Sequence, residues 1–417
     1  MTTGLDVTVL RSGAVLVPAA LAAALWLAAP GGRIGAALAT LWNAVGLAGV
    51  NAVAVAAGWW SFGTEGLMWA GVPIDVIFGW AVLWGAVPVL LAQWVNPVVS
   101  VAVLIACDVL AMGSLEPLVR LRTDWAYGEA LAVAVCLLPG VVLGWSTARG
   151  RNLWCRVTLQ VVLFGAILLF AIPATTFALT GSSWSDVEVG GLADSVLLQA
   201  GAVVVVIALR AVADFAHHGG TPFPWDPPPH LVTGGPYAFV ANPMQLAAVL
   251  ILLVGAGVLN SAGLVMAAGV GVVFSAGIAS WYERDQLLGR FGDEWIAYRA
   301  SVHDWLARWR PYPNRAQARI YVAVSCDPCS EVAGWLQRRH PVALAIEPAE
   351  KHAEDLRRVR YESDVVVLQG TRAIGAALEH ISLGWAVVGW LMRAPVLAWF
   401  VQLLADAVGA GPRALNR

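Results

Sequence analysis

The feature that most constrains the fold of this chain is a series of nine mostly apolar stretches. Each is long enough to cross the hydrocarbon core of a bilayer, which is ~30 Å thick and needs about 20 helical residues. Charged residues make up only 12% of the 417 residues, about half of their share in a typical soluble domain. The sequence therefore predicts a mainly α, polytopic membrane protein. The predicted spans lie near residues 12–30, 34–58, 73–93, 96–114, 127–147, 154–179, 192–215, 244–260 and 262–281.

Tryptophan content and net charge agree with a membrane setting. The chain has 21 Trp residues, and indole rings favour the two lipid–water boundaries. The formal net charge is -2, and no basic patch with interleaved aromatic residues occurs. We therefore expect membrane lipids as partners and no nucleic acid.

The placement of arginine predicts the orientation in the cell membrane. With the N-terminus outside, Arg33 and the arginines of segment 149–156 face the cytoplasm, as the positive-inside rule prefers. Arg120 and Arg122 fall on the opposite side and disagree with the rule. After the last predicted span the chain returns to the cytoplasm, so we expect the loop near residue 230 and everything after Trp281 to be cytosolic.

Composition divides the chain into three predicted domains. Residues 1–185 form a domain with six spans, residues 186–312 contain the most informative loop, and residues 318–417 have strand-like runs and read as a small α/β domain. Acidic residues at membrane depth are functional candidates by default, although some of them cap helix starts at an interface. Those in the first domain are Asp75, Asp108, Glu116 and Glu129.

A loop rich in Gly and Pro precedes the last two predicted spans. Residues 219–243 read GGTPFPWDPPPHLVTGGPYAFVANP, which is too broken for a helix. Irregular backbone at a membrane boundary persists only where protein or a cavity covers it. The loop therefore indicates a ligand site.

Two motifs flank the hairpin of the last two spans. The first is HLVTGGPY at 230–237, followed by Asn242-Pro243-Met244, and the second places Glu283 eight residues before Phe291-Gly292, with Trp295 and Tyr298 after it. Both motifs, in this order, resemble the isoprenylcysteine carboxyl methyltransferase family, which includes related membrane phospholipid methyltransferases. The resemblance covers residues ~190–312.

The resemblance implies a methyltransferase that uses S-adenosyl-L-methionine. A Gly-rich loop lets a ligand approach the backbone closely, Tyr237 offers an aromatic face to the sulfonium cation, and Glu283 can hold the ammonium or the ribose hydroxyls. His230 can line or orient the adenosine pocket. The implied cofactor-binding residues are His230, Leu231, Val232, Thr233, Gly235, Pro236, Tyr237, Asn242, Pro243 and Glu283.

Departures from the family pattern bear on the acceptor. Ala241 stands where the family usually has Arg, Gln245 stands where a Tyr usually follows Met, and Arg284 replaces the second acid of a Glu-Glu pair. Because Ala241 cannot pair with an anion, we expect a lipophilic small molecule or lipid that is not a prenylcysteine carboxylate. A hydroxyl, amine or thiol fits better. The expected catalytic residues are Asn242, Gln245 and Glu283.

A Cys-x-x-Cys motif opens the C-terminal domain. Cys326 and Cys329 follow a strand-like run at 320–324 and begin a helix, the placement that lowers a thiol pKa in thioredoxin-like folds. The segment resembles the DCC family of predicted thiol-disulfide oxidoreductases, which implies a redox pair served by a cytosolic thiol reductant. Val324-Ser325 replace the usual Asp-Gly, so a structural role stays open. Zinc is disfavoured because no second ligand pair has suitable spacing, and no metal site is predicted.

Three functions remain open from the sequence. The first is a methyltransferase with an accessory thiol domain. The second is a membrane thiol-disulfide oxidoreductase in which the methyltransferase-like hairpin is only a scaffold. The third is a lipid- or isoprenoid-binding module of the N-terminal spans, with a degenerate methyltransferase site.

Overall fold

The computed structural model of this protein describes residues 7–63, 67–69, 71–116, 118–325 and 327–412, without the side chains of 278–285, 327–328 and 410. The chain divides into two compact units, Met1–Leu179 and Thr180–Arg417. The segment that carries both methyltransferase motifs and the C-terminal segment therefore lie in one unit.

The first unit consists mainly of apolar helices: α1 (Val7–Ala28), α2 (Arg33–Ala57), α3 (Ile74–Leu91), α4 (Pro97–Met112), α5 (Trp125–Ala148) and α6 (Leu153–Thr180). Two short antiparallel pairs join their ends, β1 (Trp60–Phe62) with β4 (Val119–Leu121) and β2 (Met68–Trp69) with β3 (Val72–Pro73). Its core includes Leu47, Trp84 and Leu137.

Small residues bring the helices of this unit together. A Cβ on Gly35 would collide with the backbone of Gly144, so α2 and α5 cross at backbone contact. A Cβ on Gly85 would likewise collide with Thr40, which joins α3 to α2. Such close crossings are typical of helices packed in a membrane.

The acidic candidates of the first unit lie in different surroundings. Asp75 lies in the first turn of α3 and forms an ion pair of 2.5 Å with Arg11 of α1. Glu129 of α5 is buried, and neither of its carboxylate oxygens has a hydrogen bond among the described residues. Asp75 therefore links the start of α3 to α1 through this ion pair.

The second unit begins with α7 (Leu192–His217) and continues with α8 (Pro243–Val258), α9 (Ala262–Phe274) and α10 (Ser280–Ser301). Between α8 and α9 the chain turns at Asn260, whose φ is 47°. Gly292 has a φ of 50° and breaks the helical path inside α10, a conformation that favours glycine.

The C-terminal part of this unit contains a four-stranded mixed sheet. Its elements are β5 (Ala318–Val322), α11 (Asp327–Gln337), β6 (Leu344–Pro348), β7 (Arg360–Glu362), β8 (Val367–Gln369), α12 (Thr371–Leu378), α13 (Leu383–Arg393) and α14 (Pro395–Ala405). The strand order is β6-β5-β7-β8. β5 and β6 are parallel, and the other two pairs are antiparallel.

The membrane spans differ in number from the prediction. Six helices of the described chain are long and apolar enough to cross a bilayer, namely α1, α2, α3, α5, α6 and α7. Shorter apolar helices, 97–112, 243–258 and 262–277, occupy the other three predicted positions. Gly113 ends α4 and the turn at Asn260 ends α8, whereas α9 continues through a π-helical turn at Ser275–Ala279 into α10.

The last apolar segment is bent. The helices Leu383–Arg393 and Pro395–Gly409 meet at an angle of 90°. Pro395 begins the second helix, and a proline at that position cannot continue the hydrogen-bond pattern of the preceding helix. These two helices therefore do not form one straight span.

Candidate methyltransferase site

The Gly/Pro-rich loop encloses a cavity of about 160 Å³ together with α7, α8 and α10. Phe215 of α7 stacks on Tyr237 of the loop, with ring centroids 5.5 Å apart. Predicted cofactor-binding residues that line this first cavity are His230, Leu231, Val232, Tyr237, Asn242 and Pro243. With Met244, which also lines it, the loop brings seven residues of the two sequence elements at 230–237 and 242–244 to one cavity.

The other predicted loop residues lie around or beside a second cavity. Thr233 and Gly235 line it, and His230 and Leu231 line both cavities. Pro236 is buried in the turn Gly235–Ala238 and lines neither. Gly235 has a φ of 53°, and a Cβ there would collide with Asp214 Oδ2. Only glycine therefore fits at this position.

The two sequence motifs are joined by a buried hydrogen bond. The hydroxyl of Tyr298 in α10 donates to the main-chain carbonyl of Tyr237 over 2.8 Å. Burial raises the pKa of the Tyr298 hydroxyl, which keeps it protonated as the donor. Main-chain bonds from Ala241 to His303 and from Tyr312 to Ala238, both 2.8 Å, extend the contact.

Asn242 is oriented by charged neighbours. Its Nδ2 donates to Asp304 Oδ1 over 2.8 Å, and Arg299 holds the other oxygen of Asp304 at 2.5 Å. Asn242 Oδ1 accepts no hydrogen bond among the described residues, and Asn242 lines the first cavity. Asn242 therefore offers an oriented amide oxygen to a ligand.

Gln245 presents hydrogen-bond donors to the first cavity, whereas Asn242 presents an acceptor. Its Oε1 accepts a hydrogen bond from the hydroxyl of Ser275, which follows α9. With the oxygen engaged, the amide N–H groups of Gln245 remain as donors on the wall of the first cavity. Ala241 also lines this cavity and places a methyl group where the family has Arg.

Glu283 lies on α10, but its side chain is outside the described residues. Its proposed contact with the cofactor consequently stays a prediction. Gln286 and Leu287, one turn further along the same helix, line the first cavity.

The second cavity, about 450 Å³, is lined by α7, the Gly-rich loop and the C-terminal segment. Glu379 interacts with three arginines: it pairs with Arg393, and its carboxylate oxygens lie 3.7 Å from Arg210 and 3.8 Å from Arg315. Arg210 also pairs with Asp214, one helical turn further along α7. Buried charges require such partners, so this network joins α7 to the C-terminal helices.

Tyr361 and His380 lie beside this network. Burial, with Glu379 nearby, raises the pKa of Tyr361 to about 12. Its hydroxyl lies 3.0 Å from Nε2 of His380, whose Nδ1 lies 2.7 Å from the carbonyl of Val342. Burial, aided by Arg315, lowers the pKa of His380 well below its usual range. The ring is therefore neutral, and its Nδ1–H donates to Val342.

Of the two cysteines predicted to form a redox pair, the structure describes Cys329. Cys326 lies outside the described residues, and Cys329 lies in the first turn of α11. Cys329 lines a mostly apolar cavity of about 290 Å³. Glu350 accepts hydrogen bonds from the backbone N–H groups of Val324 and Ser325 and from the Ser325 hydroxyl. Partial burial opposes ionisation of Glu350, but these bonds outweigh it and lower its pKa.

A metal site was not predicted. Among the described residues, no group of three or more His, Cys, Asp or Glu side chains is placed to hold a metal ion.

Several residues around the cavities had no recognisable sequence signal. Asp304 and Ser275 orient Asn242 and Gln245, while Asp214 and Glu379 pair with arginines of the second cavity. The spacing of Arg210 and Asp214 on one helical face could have revealed their pair. Glu379 is distant from its partners in sequence, and no periodicity connects them.

Comparison with known proteins indicates a membrane methyltransferase. A family model described as phospholipid methyltransferase matches residues 192–294. The matched segment begins with α7, contains the Gly/Pro-rich loop and the hairpin of α8 and α9, and ends within α10. Searches of curated proteins and of solved structures gave no match. The first unit and the C-terminal domain lie outside the matched residues.

Proposed function

We propose that this protein transfers a methyl group from S-adenosylmethionine to a lipophilic acceptor at the first cavity. The observation that carries the proposal is the convergence of the two motifs on this cavity, fastened by the hydrogen bond from Tyr298 to Tyr237. The match to phospholipid methyltransferases over 192–294 supports it. On this proposal the site faces the cytoplasm of a multi-pass protein in the cell membrane.

The residues of the first cavity fit the cofactor chemically. The stacked rings of Phe215 and Tyr237 provide an aromatic wall for a sulfonium cation. The amide oxygen of Asn242, held open by Asp304, can accept a hydrogen bond from an ammonium or a ribose hydroxyl. His230, Val232 and Glu283 complete the proposed binding set.

The transfer itself depends on positioning. When bound, S-adenosylmethionine supplies a methyl carbon to a lone pair of the acceptor, the carbon–sulfur electrons return to sulfur, and the acceptor proton leaves to water. The protein must hold the two reacting atoms in line at near-attack distance. Gln245 can donate a hydrogen bond to the acceptor, and Phe291 and Trp295 make part of the cavity wall apolar.

The acceptor is proposed to carry a neutral nucleophile. Ala241 lies on the wall of the first cavity and supplies no charge for a carboxylate, and the donors of Gln245 are uncharged. An amine, hydroxyl or thiol on a lipid or a small lipophilic molecule suits this wall. Pro243, Met244 and Leu287 make the neighbouring surface apolar.

The test is methyl transfer into a lipid extract. Purified protein in nanodiscs is incubated with methyl-labelled S-adenosylmethionine and membrane lipids, and the organic phase is resolved by mass spectrometry. A labelled lipid that forms with the wild type and not with Asn242→Ala supports the proposal. Label found only on carboxyl esters of prenylcysteine would reject the assignment of the acceptor.

A second activity is proposed for the C-terminal domain. The strand order β6-β5-β7-β8, with a parallel β5–α11–β6 unit and an antiparallel hairpin, supports a thioredoxin-like fold. Cys329 at the N-terminus of α11 then forms a redox pair with Cys326, served by a cytosolic thiol reductant. The test incubates the protein in mixtures of reduced and oxidised thioredoxin, alkylates the free thiols and measures the oxidised fraction by mass spectrometry. The Cys326/Cys329 pair should be oxidised in a single two-electron step. Absence of any disulfide in the most oxidising mixture would reject the redox pair.

A further inference from the structure

The enclosed side chains of the second cavity carry one more positive than negative charge, while the exposed Asp364 adds a third acid to the lining. The most enclosed charged side chains of this cavity are three arginines and two acids, Arg210, Arg315, Arg393, Asp214 and Glu379. The side chains of Arg315 and Arg393 are only 4% and 7% exposed. A buried charge that lacks a counterion is costly, so this set favours an additional anion.

Unused hydrogen-bond donors line or border the same cavity. Nε of Arg210 and Nε of Arg315 are buried and make no hydrogen bond among the described residues. Within the described ranges, the backbone N–H groups of Thr233, Gly234 and Gly235 also donate none. Consecutive backbone N–H groups in a turn form a concave anion-binding surface. The donors of α7, the Gly-rich loop and Arg315, which lies just before β5, thus line or border one cavity.

Acidic groups at the cavity restrict what the anion can be attached to. Asp214 is paired with Arg210, but its Oδ2 makes no hydrogen bond among the described residues. Asp364 is exposed and lines the cavity as well. An isolated anion would be repelled by both, whereas an oxyanion with an ammonium beside it could satisfy the acids too.

We propose that the second cavity binds the oxyanion of a zwitterionic head group, with Arg315, just before β5, and Arg393 of the C-terminal domain completing the methyltransferase site. The identity of the ligand rests on the proposed function. Two sources have this chemistry: the carboxylate of the amino-acid head of the cofactor, and the phosphate of a phosphoethanolamine lipid head. The two cavities share His230 and Leu231, so either ligand would lie next to the first cavity.

The experiment is a calorimetric titration of the full chain in nanodiscs with three probes. S-adenosylhomocysteine carries the amino-acid head, 5′-methylthioadenosine lacks it, and phosphoethanolamine carries the lipid head alone. The variant is Arg315→Gln, and the matched control is Arg319→Gln, because the Arg319 side chain is 63% exposed and outside the cavity. Circular dichroism and thermal unfolding establish that each variant is folded.

The proposal predicts that Arg315→Gln lowers the affinity for one of the charged probes by about tenfold or more, which is the usual effect of losing a charge-assisted hydrogen bond. Weaker binding of S-adenosylhomocysteine with unchanged binding of 5′-methylthioadenosine identifies the ligand as the carboxylate of the cofactor. Weaker binding of phosphoethanolamine alone identifies it as the lipid phosphate. Arg319→Gln should change none of the three.

A second variant covers the case in which Arg315→Gln does not fold. Asp364→Asn removes an exposed acid that would pair with the ammonium of the head group, so it keeps the fold and should weaken binding of the charged probe about twofold to threefold, with binding of 5′-methylthioadenosine unchanged. Unchanged binding of both charged probes in every folded variant would overturn the proposal. If the wild type binds neither nucleoside, the proposed function fails, and phosphoethanolamine alone then decides whether the cavity is an oxyanion site.

Discussion

The hydroxyl of Tyr298 donates a hydrogen bond to the main-chain carbonyl of Tyr237, with 2.8 Å between the oxygens. Tyr237 ends the first motif, at residues 230–237, and Tyr298 ends the second motif, which begins at Glu283 on α10. The bond is buried, so it fixes the loop against the helix without exchange with water. The two motifs consequently act as one structural unit around the first cavity.

Removing this hydroxyl should loosen the site. We expect Tyr298→Phe to lower stability by about 1–3 kcal/mol, because the buried carbonyl of Tyr237 loses the hydrogen bond from the Tyr298 hydroxyl. It should also weaken S-adenosylhomocysteine binding. Thermal unfolding and titration calorimetry measure the two effects.

Tyr312→Phe is the control for that change. Tyr312 packs edge-on against Tyr298, and no hydrogen bond from its hydroxyl occurs among the described residues. Equal losses of stability and of S-adenosylhomocysteine affinity in Tyr298→Phe and Tyr312→Phe would show that these properties do not depend on the hydrogen bond to Tyr237.

The glycine pair of the loop provides a second prediction. In Gly235→Ala the new methyl group would collide with Asp214 and require a φ of 53°. In Gly234→Ala the nearest atom, an Arg315 nitrogen, would be 3.9 Å away. We expect Gly235→Ala to reduce cofactor binding about tenfold or more while Gly234→Ala changes it little, as calorimetry would record. Similar affinities for the two variants would contradict the proposed loop geometry.

Asn242 and Asp304 should differ in how they affect catalysis. Asn242 lines the cavity, whereas Asp304 acts through Asn242 as a positioning residue. We expect Asn242→Ala to reduce methyl transfer by about 100-fold and Asp304→Ala by about tenfold, since a misplaced group costs less than an absent one. The double variant should be no slower than Asn242→Ala. If the loss of methyl-transfer rate in the double variant equalled the product of the two single losses, Asp304 would not act through Asn242.

The stability of the C-terminal sheet should depend on pH through His380. Its folded pKa lies below the unfolded value of about 6.5. Below that pH the unfolded chain gains a proton that the folded chain rejects, so stability falls by up to about 1.4 kcal/mol per pH unit and is constant above it. Amide hydrogen exchange of β5 and β7, corrected for the intrinsic rate, measures this.

The matched control for His380 is His303, whose side chain is exposed. The dependence on pH should persist in His303→Gln and become shallower in His380→Gln. A wild type that exchanges equally at pH 5 and 7 would exclude a neutral, buried His380.

The sequence indicated the positions of the helices better than their lengths. Apolar runs mark where helices form, but the turn at Asn260 shortens α8 for a local backbone reason. β7 was missed because Arg360 and Glu362 make it look like a charged loop. Their neighbour Tyr361 is buried in the sheet core.

Tertiary charge pairing was the part that sequence could not supply. No local pattern indicates a partner for the charge of Arg393, and the structure pairs it with Glu379. The loop motif led to residues around the first cavity, since a motif keeps the residues of one site close in sequence. The second cavity joins segments from three places in the chain, and no local pattern indicates that they meet.

The most direct test of the central claim is a titration of folded protein with S-adenosylhomocysteine, comparing wild type with Glu283→Gln and Glu294→Gln. Glu294 is exposed on the same helix and lines neither cavity, so it is a matched control. The account predicts saturable binding by the wild type and Glu294→Gln, and binding about tenfold or more weaker in Glu283→Gln. No saturable binding by folded wild type would contradict a methyltransferase that uses this cofactor.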